Sequence, residues 1–282
     1  MYVKVAVPRP LDSEFDYSYD EKMLGEINVG DLVRVPFGRT SLNACVLKVS
    51  HTPPDLPPKV KLKAVKEKLH ADFRVPECVL DLARFGAEYY QYPIGEALFI
   101  AVPPKPDKIL STRAVRMKDK APSSRKLSAE QNEVLGQIEA QIKTKADSVF
   151  LLEGITGSGK TEVYIELAKR VLSEGKSVLI LVPEIALTAQ LKDRFESGLG
   201  IGIALWHSAL SDGLRQTQWR KVKSGEYKVV IGARSAIFAP FQNLGLIVVD
   251  EEHDQTYKQE ERFRYQARDL ALYRAKQAKI PV

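Results

Sequence analysis

Cysteine is scarce in this 282-residue chain: Cys45 and Cys78 are the two, beside three methionines and two tryptophans. Two thiols build neither a disulfide framework nor a zinc site with four closely spaced ligands. Both sit inside apolar patterns and read as core residues. Long hydrophobic runs are missing too. No apolar stretch approaches the roughly 18 residues of a membrane-spanning helix, and the opening MYVKVAVPRP lacks the layout of a signal peptide. The expectation is a cytoplasmic protein with no membrane partner. With 44% hydrophobic and 28% charged residues, the rest is ordinary globular sequence, long enough for about two domains.

The charge is uneven along the chain. The net +6 is matched by residues 105–126, KPDKILSTRAVRMKDKAPSSRK, where basic side chains far outnumber acidic ones. Its Pro, Ser and Lys content marks a linker between a first domain, 1–104, and a second, 127–282. Such a segment can touch phosphates, though a solvated linker is the commoner outcome. Within the first domain, Tyr2 to Val7, Phe15 to Tyr19, Asp31 to Phe37 and Asn43 to Val49 are rich in β-branched and aromatic residues. Gly, Pro or Asp bounds each, so a small antiparallel sheet or barrel is expected. A helix follows from about Pro76 to Tyr90. Phe15, Tyr17, Phe37, Arg39, Lys61 and Lys63 suit a nucleic-acid surface; a purely structural role is at least as consistent with their spacing.

From Leu127 helices and strands alternate, which predicts right-handed βαβ crossovers and a parallel sheet. Ser148 to Glu162, SVFLLEGITGSGKTE, carries the clearest signal. Val149 to Glu153 reads as a buried strand, and Tyr164, Leu167, Ala168 and Val171 mark one face of a helix. Between them Gly154, Ile155, Thr156, Gly157, Ser158, Gly159, Lys160 and Thr161 match G-x-x-x-x-G-K-[ST] in full. In such a P-loop the glycines let backbone amides point at phosphate oxygens, and the helix N-terminus adds its positive end. Lys160 is expected to reach the β- and γ-phosphates of ATP, and the Thr161 hydroxyl to hold Mg²⁺. Farther on, Leu246 to Val249 runs into Asp250-Glu251-Glu252-His253. An acid at such a strand end completes the site: Asp250 for Mg²⁺, Glu251 to orient or deprotonate the attacking water. Lys160, Asp250 and Glu251 are therefore the candidate catalytic residues. The role of His253 stays open.

D-E-E-H, with L-V-P-E-I-A-L-T-A-Q at 181–190 and G-A-R-S-A-I-F-A-P-F at 232–241, resembles the superfamily 2 DNA helicases, and among them the bacterial replication-restart helicases of the PriA (primosomal protein N′) family. Leu127 to Gln131, W-H-S-A-L-S-D-G-L-R at 206–215 and residues 254–275 add to the likeness. The resemblance implies an α/β chain, a β-rich DNA-binding domain followed by a RecA-like helicase lobe. It implies that Gln131 reads the adenine edge and that Pro183, Glu184, Gly232, Arg234 and Ser235 line a single-strand path. Tyr257, Phe263 and Tyr265 alternate with Lys258, Arg262, Arg264 and Arg268. Rings interleaved with cations suit a stacking platform for single strands; an aromatic hairpin packed in the core is the alternative. F-D-Y at 15–17, R-V-P-F-G-R at 34–39, L-K-A-V at 62–65 and residues 88–99 resemble the family's 3′ DNA-binding domain. Phe15, Asp16, Tyr17, Gly38 and Lys63 would then form a pocket for a strand's 3′ end, where the Asp16 carboxylate accepts from a terminal hydroxyl and repels a phosphate.

The family usually has a winged-helix domain where this chain has only its basic linker. It also has a second lobe with an arginine finger and zinc-binding cysteines, none of which is found here, so a fragment of a longer product is expected. Zn²⁺ belongs only to that further part. The reading is the N-terminal part of an ATP-dependent 3′→5′ helicase that recognises stalled or abandoned forks and starts primosome assembly. By resemblance its partners are DNA, primosome proteins, single-stranded DNA-binding protein and the replicative helicase loader, and its place is the nucleoid. Taken alone, the fragment is expected to be catalytically incomplete. One rival is a fork-end module that senses ATP without unwinding. The other is a P-loop kinase of small molecules, against which the D-E-E-H strand end and the aromatic–basic stretch both stand.

Overall fold

The computed structural model describes residues 1–56, 61–110, 126–155 and 157–282. The chain divides into two compact units. The first comprises residues 1–112 together with 211–220 and 260–265; the second comprises 113–210, 221–259 and 266–282.

Alternating apolar residues build the first unit. Strands β1 (Tyr2–Ala6), β2 (Phe15–Ser18), β3 (Leu32–Phe37), β4 (Thr40–Ser50) and β5 (Glu67–Lys68) form an antiparallel sheet in the order β2-β1-β4-β3-β5. Val3, Val5, Tyr17, Val33, Val35, Ala44 and Val46 point to one buried side, as period-two patterning requires. One segment covers both sheet edges. Ser18 bonds through its backbone to Lys63 and Val65, while Lys66 and Leu69 bond to Arg34 and Leu32 of β3. Unpaired edges are thereby closed. Besides the single turn α1 (Glu21–Leu24), this part carries the helices α2 (Glu77–Tyr89) and α3 (Ile94–Phe99). Helix α2 buries Val79, Leu80, Leu82, Ala83, Gly86 and Ala87. Cys45 is buried as expected but Cys78 is exposed, because it falls outside that apolar arc at the start of the helix. Helix α3 packs so closely on β1 that a Cβ at Gly95 would strike the Val7 carbonyl.

The second unit holds α4 (Ala129–Thr144), α5 (Lys160–Ser173), β6 (Ser177–Leu181), α6 (Ala189–Leu199), β7 (Ala204–Trp206), the end of α7 (Asp212–Lys223), β8 (Val229–Gly232), β9 (Leu244–Val249) and α8 (Ala267–Ala278). Its sheet is parallel in the order β7-β8-β6-β9. Buried on both faces, its strands are continuous apolar runs. The α/β class expected from the sequence is thus observed, an antiparallel sheet followed by a parallel one. The expected strand at Val149 to Glu153 is not. Val149 and Leu151 are 63% and 73% exposed; among the described residues the stretch is backbone-bonded where Phe150 donates to Val282 and Val282 to Ser148, and Leu152 packs against the core. Val282's neighbour Pro281 accepts from Ile247 of β9. Beyond Phe150 the segment has no sheet partner among the described residues, and an apolar run without a ladder neighbour is not held as a buried strand.

Residues 211–220 join the first unit for a definite chemical reason. Gln216 is fully buried; its amide donates to the carbonyls of Pro104, Lys105 and Lys108, and its oxygen accepts from the Leu110 amide. Trp219 lies against Phe73 and donates to the Ala101 carbonyl at 3.0 Å. Gln216→Ala would strand several buried backbone groups at about 1–3 kcal/mol each. A loss of about 2 kcal/mol or more is expected in denaturant unfolding of the full chain. A change within about 0.5 kcal/mol, the scale of a surface substitution, would show that this anchoring is dispensable.

Candidate nucleotide and DNA sites

In an open parallel sheet, ligands sit beyond the carboxyl ends of the strands. In the second unit β6 ends at Leu181, β8 at Gly232 and β9 at Val249, so Pro183, Arg234 and Asp250 emerge at one sheet end. The P-loop leads into α5 with Gly157 and Gly159 both in the left-handed region, φ +83° and +85°. That backbone needs glycine. Lys160 opens α5, and its ammonium donates to the Gly154 carbonyl at 2.7 Å and stands 3.6 Å from Glu251. The loop lysine and the acid after β9 therefore meet. Thr161, half-buried, follows on the same first turn. Gly154, Ser158 and Gly159 are in place, while Thr156 lies outside the described residues.

Asp250 is fixed through three groups. Its amide donates to the Leu181 carbonyl at 2.9 Å, its carbonyl accepts from the Tyr257 hydroxyl at 2.6 Å, and its carboxylate accepts from the Tyr164 hydroxyl at 3.2 Å. Burial raises its pKa from the ordinary aspartate value, with Glu251 adding to the rise and the Tyr164 bond and Lys160 opposing it. Glu251 takes a left-handed φ of +45°. For a residue with a Cβ this costs of order 1 kcal/mol. His253 is exposed, 3.9 Å from Glu251, and Arg268 bonds Glu252 at 2.7 Å. A cavity of about 590 Å³ opens beside these groups, lined by Gly154, Lys160, Tyr164, Glu251 and the apolar flanks of 149–152 and β9.

Gln131 is committed to protein. It closes a capping box with Ser128 at the start of α4, and its amide donates to the Ser158 carbonyl at 3.1 Å. Here it braces the P-loop; an adenine edge would have to replace those bonds. Arg234 is likewise engaged, donating to the carbonyls of Thr256 and Lys258, with Ser235 half-buried beside it.

The aromatic stretch differs from the stacking platform. Tyr257 and Phe263 are completely buried and Tyr265 is 2% exposed. Tyr257 is pinned by its bond to Asp250. In the first unit Phe263 stacks on Tyr265 at 5.1 Å and meets Tyr90 and Tyr92 edge-on. These rings gain more from apolar burial than from facing water, so no face is presented to a base. Lys258 and Arg264 remain at the surface.

The 3′-end candidates are only partly brought together. In β2 Phe15 and Tyr17 share the inward side and Asp16 the other, because strand side chains alternate. Tyr17 is a core residue whose hydroxyl donates to the Pro36 carbonyl at 3.0 Å. Phe15 meets Phe37 edge-on at 5.1 Å, next to Gly38, which takes φ +57° in the two-residue turn between β3 and β4. Lys63 is exposed and its carbonyl accepts from Ser18. Asp16 lies across from Lys4, 3.7 Å away. The F-D-Y triplet thus does not line one pocket wall with three side chains. Sequence reasoning missed Lys4, whose place opposite Asp16 depends on register. It also missed the bond from Tyr164 to Asp250, since Tyr164 reads as a helix-face residue.

Two family models match the chain. The 3′ DNA-binding domain (3′BD) of PriA matches residues 4–103. The family described as type III restriction enzyme, res subunit, matches residues 124–279. The replication restart protein PriA of Treponema pallidum (strain Nichols) is 39% identical over 275 residues, 96% of this chain and 41% of that protein. The chain belongs to the PriA family. PriA of Bacillus subtilis (strain 168) is 47% identical over 156 residues, 55% of this chain and 19% of its own. PriA of Haemophilus influenzae is 31% identical over 354 residues, 99% of this chain and 48% of its own. The chain spans less than half the length of these PriA relatives. A solved structure of the UvsW helicase from bacteriophage T4 matches 57% of the chain and 54% of its own, with a TM-score of 0.38 and 18% identity, too distant to add to the assignment.

Lys160→Ala removes the cation of the P-loop and Asp250→Ala the acid at the end of β9. Each is expected to weaken binding of a fluorescent ATP analogue with Mg²⁺ at least tenfold, as loss of a charge-assisted contact does. Unaltered affinity in both variants would overturn the site.

Proposed function

We propose that the chain is the DNA-end-binding and nucleotide-binding part of an ATP-dependent 3′→5′ DNA helicase that acts at stalled or abandoned replication forks and initiates primosome assembly. The observation that carries this reading is the approach of Lys160 to Glu251, which joins the P-loop to the end of β9. Lys160 would take the β- and γ-phosphates, Thr161 and Asp250 would hold Mg²⁺, and Glu251 would orient the attacking water. The donor set fits: one loop cation now spent on a carbonyl, one helix-start hydroxyl, and a held carboxylate. Bound there, Mg²⁺ supplies charge that offsets what builds up on the transferring phosphoryl group. The lysine binds, the acids orient, and Gln131 keeps the loop in shape.

Turnover by these residues alone is expected to be slow. In the superfamily 2 likeness, the arginine that accelerates phosphoryl transfer by about 10³–10⁵ comes from a second lobe. Burial of Tyr257, Phe263 and Tyr265 favours a second reading, a fork-end module that senses ATP without unwinding. Primosome proteins, single-stranded DNA-binding protein, the replicative helicase loader and a nucleoid location are proposed on the strength of the likeness to replication restart proteins.

The first unit's part is read from Asp16. A carboxylate accepts a hydrogen bond from a free 3′-hydroxyl and repels a 3′-phosphate, with Lys4 holding it in place and softening the repulsion. The chain should bind a fork with a 3′-hydroxyl leading strand at the junction about tenfold tighter than one capped with 3′-phosphate, the worth of one charge-assisted hydrogen bond. Asp16→Ala should erase the difference. Equal binding of both forks by the parent chain would refute the assignment of Asp16, and no fork binding at all would favour the small-molecule kinase.

A further inference from the structure

Tyr164 was expected only to pack. It sits one turn into α5 after Lys160, 9% exposed, and belongs to the core cluster that also holds Val248, Ala168 and Ile180. Its hydroxyl leaves that apolar setting and donates to the Asp250 carboxylate at 3.2 Å. Asp250's backbone is already held from both sides, by Leu181 through the amide and by Tyr257 through the carbonyl. The freedom left to Asp250 is its side-chain torsions, and the Tyr164 bond restrains them.

We propose that Tyr164 is a positioning residue for Asp250, holding the carboxylate in the orientation that receives the divalent cation carried by a nucleoside triphosphate. The inference rests on the nucleotide-site reading above. A phenol is suited to the task. It donates one proton and leaves the carboxylate's other lone pairs for the cation. A tyrosine hydroxyl, with an ordinary pKa of about 10, stays a donor at neutral pH. Set on the helix that begins with Lys160 and Thr161, it ties the acid to the element bearing the loop's own ligands. Phosphate-binding lysine and cation-binding acid thereby share one rigid support, the condition for aligning groups that act together.

Tyr164→Phe keeps the ring and removes the donor. Affinity of the full chain for a fluorescent ATP analogue is measured with EDTA and across a Mg²⁺ titration. The Mg²⁺ concentration giving half the metal-dependent gain is expected to rise about tenfold. Metal-free affinity should stay at its parental value, a split that loss of packing would not produce. In the Asp250→Asn background, the same substitution should add little, since the coupled partner is already altered. An unchanged or improved Mg²⁺ dependence in Tyr164→Phe would overturn the proposal. So would an equal effect in the presence and absence of Asp250, which also decides the matter if Tyr164→Phe melts early. Absence of nucleotide binding by the parent chain would instead count against the site itself.

Discussion

The parallel pairing of β6 with β9 is the constraint on which the proposed nucleotide site depends. The ladder runs to the last residue of both strands, Leu181 opposite Val249, and Asp250 adds one bond by donating to the Leu181 carbonyl. A slip of one residue would send every side chain of β9 to the other face. Asp250 would then leave Tyr164, and Glu251 would leave Lys160. The core residues Ile180, Val182 and Val248 therefore do more than exclude water: their packing fixes the register that places two acids beside the P-loop. The site is polar at its tip because it is apolar at its root.

Much of this was legible in the sequence, for reasons that vary along the chain. Local signals travelled well. The four longer strands of the first unit fall within a few residues of the expected bounds and the second unit alternates helix and strand as expected, because alternation, continuous apolar runs and capping residues such as Ser128 act locally. The P-loop was legible because its glycines serve a backbone need, and Gly157 and Gly159 take the left-handed φ that predicts them. Long-range facts were not legible. Val149 to Glu153 has the composition of a buried strand, yet whether a run is buried depends on a neighbour, and past Phe150 the described residues supply no sheet partner. Cys78 lies in an apolar pattern but off the helix face that is covered.

The aromatic stretch after D-E-E-H shows the same limit with a functional consequence. Rings interleaved with cations have one composition and two uses, a surface for bases or a core with charged edges. The hydrogen bond from Tyr257 to the Asp250 carbonyl and the stack of Phe263 on Tyr265 select the second in this structure. Tyr257 is thus joined directly to the acid proposed to hold the metal. The F-D-Y triplet teaches a similar lesson. Strand geometry separates Asp16 from Phe15 and Tyr17, and register gives it Lys4. Composition names the chemistry; pairing decides which groups meet.

The central claim is that the P-loop and the end of β9 form one site for a nucleoside triphosphate with its cation. A crystal structure of the chain with Mg²⁺ and a non-hydrolysable ATP analogue tests it most directly. The account predicts Lys160 turned from the Gly154 carbonyl onto the terminal phosphates, with the cation between Thr161 and Asp250. Density for the nucleotide elsewhere, or Lys160 still on Gly154 with the analogue at saturating concentration, would contradict it.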